Sequence, residues 1–171
     1  QLETVALIGN LAAVEIARKE TGEALRTANE YFRAIFDCSP LAIVNLDRDA
    51  NVTMWNQAAE RIFGWRRHDV IGKPYPAVPE NGQAHFRKIF AEQIGGKGMS
   101  DLELRRRHKD GTVIYVNANT APLKDAHGDS IGFISIMDDI TAKKLARQEK
   151  KKLEDRLDQA QKMEALGTLA G

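Results

Sequence analysis

The 171-residue sequence contains one cysteine, Cys38. An intramolecular disulfide is thereby excluded, as are the paired-cysteine metal and redox motifs, and a reducing cytoplasm is the expected compartment. No apolar stretch approaches the roughly 18 to 20 residues that cross a bilayer, and the first residues lack a basic segment leading into an apolar core. No membrane span or secretion signal is expected within the chain, which leaves open how a longer parent is anchored. Neither sign of charge dominates: 25 Lys and Arg face 24 Asp and Glu, for a net +1. No global field then draws the chain to nucleic acid or to an anionic surface, and its partners must be sought locally. Of the four histidines, His68, His108 and His127 fall in polar or turn contexts that suggest no metal site.

What the chain does have is periodicity. Its length predicts one domain of about 100 to 120 residues with helical attachments. Residues 2 to 36 read as a helix, with Leu7, Leu11, Val14, Ile16 and Ala17 apolar at mixed three and four spacing and Leu25, Ala28, Phe32 and Ile35 continuing it. Gly22 is placed to break or bend it. Ile43, Leu46, Val52 and Met54 flank Asp47-Arg48-Asp49-Ala50-Asn51, the pattern of two short strands around a tight turn. Asn56 is suited to cap a short helix with Ala59, Ile62 and Phe63 on its apolar face, and Gly64 to stop it. Pro74, Pro76 and Pro79 forbid regular helix, after which Phe86, Ile89, Phe90 and Ile94 restore a helical period up to Gly95-Gly96.

Beyond those glycines the period becomes two. Leu102 and Leu104 lead into Arg105-Arg106-Arg107, Asp110-Gly111 makes a turn, and Ile114, Val116, Ala118 and Thr120 alternate with Tyr115, Asn117 and Asn119. His127-Gly128-Asp129 precedes a last strand, "SIGFISIMDDIT". One face of that strand should carry Ile131, Phe133, Ser135 and Met137 and the other Ile134 and Ile136, so it needs two covers. The intervening helices can supply one, and the helix around residues 25 to 35, from this chain or a second copy, the other. The sum is an α+β fold, a five-stranded antiparallel sheet with helices on one face. From Thr141, read as an N-cap, a polar helix carries Leu145, Leu153, Leu157, Ala160 and Met163 along one side. A lone helix of this polarity is marginal in water, so pairing in a homodimeric coiled coil is expected, with Glu149 and Lys152 near the seam.

The ordered series "NLDRDANVTMWNQAAERIFGW", "VIGKP" and "RRRHKDGTVIYVNANTAPLKDAHGDSIGFISIMDDIT" resembles a PAS domain over residues 29–141, down to the terminal Asp139-Ile140-Thr141. The segment 142–171, through "KKLEDRLDQAQKMEALGTLAG", resembles the coiled-coil linker and opening of the dimerisation and phosphoacceptor helix of sensor histidine kinases. In that family the phosphorylated histidine follows a few residues further on, so no catalytic residue is expected here. Residues 1–28 form an N-terminal signalling helix. Its "LETVALIGNLAAVEIARKE" is similar to the last helix of a GAF domain and equally to an ordinary coiled-coil segment.

The resemblance implies a small internal cavity. Its expected lining is Phe86, Ile89, Phe90, Leu102, Leu104, Ile114, Val116, Ala118, Thr120, Phe133, Ser135 and Met137, with plain core as the competing reading. The cofactor stays unknown. Light-sensing LOV relatives need a reactive cysteine in the helical segment after the first two helices, where this chain has none, and Cys38 lies before the first strand, so flavin adduct chemistry is not expected while non-covalent flavin stays open. Haem relatives use a histidine on the long helix and an arginine on the next strand; here Phe86 and Leu102 stand at those positions beside His85, and haem is not favoured. Asp139, Ile140 and Thr141 are the expected signal junction, with Thr141 capping the exit helix and Asp139 holding a basic side chain or backbone donor elsewhere. The leading functional expectation is a regulatory module of a cytoplasmic two-component kinase, whose parent uses ATP with magnesium and phosphorylates a response regulator. The alternative is a sensor of a small molecule, flavin or haem serving another output, such as a cyclic-dinucleotide enzyme or a DNA-binding domain.

Overall fold

A computed structural model gives the structure of the protein; it describes the backbone of residues 2–169 and the side chains of residues 18–167 and 169. The chain divides into two compact units, Gln1–Ser39 and Pro40–Gly171. The first is one helix, α1 (Leu2–Cys38). It runs unbroken through Gly22, where the expected break does not occur. Helix-interior glycine costs only about 1 kcal/mol relative to alanine, too little to interrupt a helix this long. The expected apolar positions Leu7, Leu11, Val14, Ile16 and Ala17 lie outside the described side chains.

The second unit is built on five antiparallel strands: β1 (Ala42–Asp47), β2 (Val52–Trp55), β3 (Met99–Arg107), β4 (Val113–Lys124) and β5 (Ser130–Asp139), in the spatial order β2-β1-β5-β4-β3. Helices α2 (Gln57–Phe63), α3 (Arg67–Val70) and α4 (Gln83–Ile94) pack against the sheet, and α5 (Thr141–Leu169) leaves directly from the end of β5. The β1–β2 turn closes on one carboxylate. Asp47 Oδ1 accepts from the backbone N–H groups of Asp49 and Asn51, each at 2.9 Å, which frees Ala50 to take φ 65°. Partial burial opposes ionisation of Asp47, but these bonds and the Asn51 side chain outweigh it and hold its carboxyl low.

Asn56 ties the first hairpin to the first helix. Its Oδ1 accepts from Ala59 N–H as the α2 N-cap and from Ile43 N–H of β1, both at 2.9 Å, while its Nδ2 donates to the Leu41 carbonyl at 2.9 Å. Gly64 then ends α2 at φ 82°, a left-handed conformation that suits glycine. Trp55, Phe63 and Tyr75 meet at ring separations of 5.3 to 6.4 Å and join the inner-face residues Ala42, Val44, Leu46, Leu104, Val116, Ala118, Phe133 and Met137 in one core.

One strand assignment needs correction. Ile131 does not share the inner face with Phe133, and it is 48 % exposed. Lys124 pairs with Ser130 and Leu123 with Gly132, so Ile131 is the extra residue of a β-bulge and falls out of the alternation. On the outer face Ile134 is half-buried and Ile136 exposed.

Candidate functional site

The inner face of the sheet and helix α4 enclose a cavity of about 20 Å³, or about 380 Å³ of atom-free space when its open mouth is counted. The α4 wall is Phe86, Ile89, Phe90 and Gln93, a helical face at spacings of three, one and three. The sheet wall is Val44 and Leu46 from β1, Leu104 and Arg106 from β3, Thr120 from β4, and Phe133, Ser135 and Met137 from β5, with Tyr75 closing one side. Strand register explains where the space lies. Val44, Ser135 and Thr120 stand side by side across three strands, and the two short hydroxyl side chains leave the gap that Phe90 and Phe133, 5.7 Å apart, border.

Among the expected lining residues, Leu102, Ile114, Val116 and Ala118 do not reach this cavity. Ile114, Val116 and Ala118 are consumed by the core, and Leu102 is half-buried against it. They share the inward face of their strands, but α4 crosses the sheet nearer to Thr120 and Ser135, so period alone does not tell cavity from core. Five lining residues were absent from the sequence expectation: Val44, Leu46, Tyr75, Gln93 and Arg106. Gln93 and Arg106 obey the same periods as their apolar neighbours. Extending Phe86–Ile89–Phe90 by three residues reaches Gln93, and extending Leu102–Leu104 by two reaches Arg106.

The polar groups of this wall are unusual in their bonding. Gln93 is 1 % exposed and donates from Nε2 to Thr120 Oγ1 at 3.0 Å, yet its Oε1 has no partner. The Tyr75 hydroxyl and Arg106 Nε are likewise buried without a hydrogen bond. Burial pushes the Tyr75 phenol up, opposed only in part by the Arg106 charge and by an Arg106 N–H near enough to act on the phenol oxygen without reaching good hydrogen-bond geometry, so the hydroxyl stays neutral with its proton unclaimed. Among the described residues no histidine or cysteine lines the cavity, so neither the histidine that haem relatives use nor a thiol for a flavin adduct is present there. His85 lies exposed on α4, and Cys38 is exposed at the end of α1. Among the described residues no group of three or more His, Cys, Asp or Glu side chains could hold a metal ion.

The second feature is the passage from β5 into α5. Thr141 is the first residue of α5, and its hydroxyl does not cap the helix. Thr141 Oγ1 accepts from the backbone N–H of Tyr115 on β4 at 2.9 Å, while Ile140 N–H donates to the Tyr115 carbonyl at 2.9 Å. The capping falls to Asp139, whose Oδ1 accepts from Thr141 N–H at 2.9 Å, and to the Ile140 carbonyl, which accepts from Lys144 N–H at 2.8 Å. The expected roles of the two side chains are thus exchanged, because Tyr115 presents its N–H and C=O to the junction residues. Among the described residues Asp139 pairs with no basic side chain; the ion pair at the junction is Lys144 with Glu103 of β3, with Lys144 Nζ 4.9 Å from the Tyr115 ring centroid. The Lys144 hydrogen bond and charge, with Arg147 and Lys143 behind them, hold the Glu103 carboxyl low. Beyond this turn Leu145, Leu153, Leu157, Ala160 and Met163 are exposed, Leu153 at 55 % and Leu157 at 58 %.

The PAS fold family model matches residues 30–140, and the chain belongs to that family. Over 163 residues, 95% of this chain and 25% of the relative, it is 28% identical to the signal transduction histidine-protein kinase AtoS of Escherichia coli (strain K12). Over 153 residues, 85% of this chain and 14% of the relative, it is 27% identical to the probable diguanylate cyclase DgcE of the same organism. The chain therefore spans a quarter of the kinase and less of the cyclase. Among solved structures, the PAS domain of a protein from Colwellia psychrerythraea shares the fold with a TM-score of 0.60 at 23% identity, over 67% of this chain and 98% of that one.

Proposed function

We propose that this PAS domain is the sensor and signal-transmission module of a cytoplasmic two-component sensor histidine kinase. The observation that carries the reading is the junction: residues 139–141 bind β4 through both polar backbone groups of Tyr115, so a change in the curvature of β4 and β5 must move the first turn of α5. The likeness to the AtoS kinase, which extends over nearly the whole chain and so includes α5, supports a kinase output. The exposed Leu153, Leu157 and Met163 support pairing of α5 with that of a second copy, since a solitary helix of this polarity gains little from its own propensity. No described helix is long and apolar enough to cross a membrane. Catalysis belongs to the rest of the protein, which binds ATP with magnesium, phosphorylates a histidine and passes the phosphoryl group to an aspartate of a response regulator.

The test is autophosphorylation of the full-length protein with ATP and magnesium. Thr141→Val and Asp139→Ala are expected to shift the basal rate severalfold, whereas Lys151→Ala, at an exposed site on the same helix, leaves it unchanged. Equal rates in all three variants would reject the coupling. Cyclic-dinucleotide synthesis from GTP without autophosphorylation would replace the kinase output with that named for the DgcE relative.

A further inference from the structure

Arg106 is 7 % exposed on the inner face of β3. Its Nη1 donates to the backbone carbonyl of Arg105 at 3.0 Å, and its buried Nε–H meets no acceptor. Among the described residues no carboxylate pairs with it. Its guanidinium carbon lies 5.8 Å from the Tyr75 ring centroid, and a ring face offsets only part of what a buried cation loses in leaving water. Such a charge usually has a partner anion. Here the Tyr75 hydroxyl, whose oxygen lies near the guanidinium and whose proton meets no acceptor, belongs to the same cavity wall, and apolar Phe90 and Phe133 border the remainder.

We infer that this cavity binds a small monocarboxylate, with Arg106 Nε–H and the Tyr75 hydroxyl donating to its carboxylate and its short apolar body lying against Phe90 and Phe133. The enclosed part, about 20 Å³, holds about one or two waters, the room of the two carboxylate oxygens alone, so the short apolar body has to extend toward the open mouth, within the surrounding space of about 380 Å³ free of atoms. Gln93 Oε1 is the acceptor left over, available to a hydroxyl on the ligand. The inference deepens the sensor reading and rests on it only for what binding would signal, because occupancy is measured on the chain itself.

The experiment titrates the chain with propionate and with propionamide, its uncharged counterpart of similar shape, at constant ionic strength. Melting temperature and the Arg106 Nε–H resonance are followed. Propionate is expected to raise the melting temperature and move that resonance, and propionamide to do neither. Arg106→Met keeps the volume and removes an uncompensated buried charge. It should therefore melt at or above the wild-type temperature while losing about tenfold or more in propionate affinity. Should that variant fail to fold, the wild-type resonance decides the matter. No response to propionate, an equal response to propionamide, or undiminished binding by Arg106→Met overturns the assignment. None of these outcomes involves kinase activity, so each leaves the kinase reading where it stood.

Discussion

Asn56 is fully buried, and its one side chain satisfies three backbone groups on two elements and the segment before β1. Asn56→Ala removes these three bonds at once. Loss of the N-cap alone costs about 1 kcal/mol. The Ile43 N–H then loses its acceptor and the Leu41 carbonyl this donor, in partly buried surroundings, at about 1 to 3 kcal/mol each when nothing replaces them. Allowing for partial rehydration, the expected loss is about 3 to 5 kcal/mol, a large share of the 5 to 15 kcal/mol typical of a domain. Urea unfolding followed by tryptophan fluorescence reads this well, because Trp55 is buried in the core with its Nε1 bonded to the Trp65 carbonyl at 3.1 Å. With a slope of about 2 kcal/mol/M the midpoint should fall by about 2 M. Asn81→Ala, at an exposed asparagine, serves as the control and should change stability by less than about 0.5 kcal/mol. A loss of under about 1 kcal/mol for Asn56→Ala would refute the assignment of Asn56 as the tie between hairpin and helix.

Gly132 has φ 153°, and a Cβ there would lie 2.2 Å from the Leu46 carbonyl oxygen, so Gly132→Ala should cost roughly 2 to 4 kcal/mol, seen as a melting temperature lower by several degrees. Thr141→Val leaves the Tyr115 N–H unpaired; amide exchange in the first turn of α5 should accelerate about tenfold while the global melt barely moves. The Asp110 carboxyl is held at about 2 by the Thr112 N–H and hydroxyl, then by His108, against an ordinary 3.8. Because the folded value is depressed, its contribution is complete above the ordinary value and disappears as pH falls toward 2. The stability gap between wild type and Asp110→Asn should accordingly be present at about pH 5 and close between about pH 4 and 2 in acid titrations.

Most of this architecture was legible because its signals are local and redundant. Asn56 followed by Ala59, Ile62 and Phe63 and then Gly64 states a cap, a face and a stop within nine positions, and the structure has all three. The five-strand sheet followed from changes of period at Gly96 and at the turns around Gly111 and Gly128. Non-local features were less accessible. The bulge at Ile131 depends on how β5 must register with β4, which no residue of β5 declares by itself. Gln93 and Arg106 carry long polar and charged side chains on inward faces where the expected lining held only apolar and short hydroxyl side chains, although the periods pointed straight at them. Tyr75 sits among prolines, where no period operates and only the tertiary fold brings it to the cavity. The exchange of roles between Asp139 and Thr141 turns on Tyr115, a residue 26 positions upstream of Thr141.

In the proposed function, the β4–β5 junction governs how α5 pairs with a second copy. This control is tested most directly by pulsed dipolar spectroscopy on the chain carrying Cys38→Ser and a spin label at Glu154→Cys. Paired helices lie 8 to 10 Å apart between axes, so the labels should give one narrow distance below about 30 Å. Adding Thr141→Val should broaden or shift that distance. An absence of dipolar coupling at high micromolar concentration, or identical distributions with and without Thr141→Val, would contradict the account.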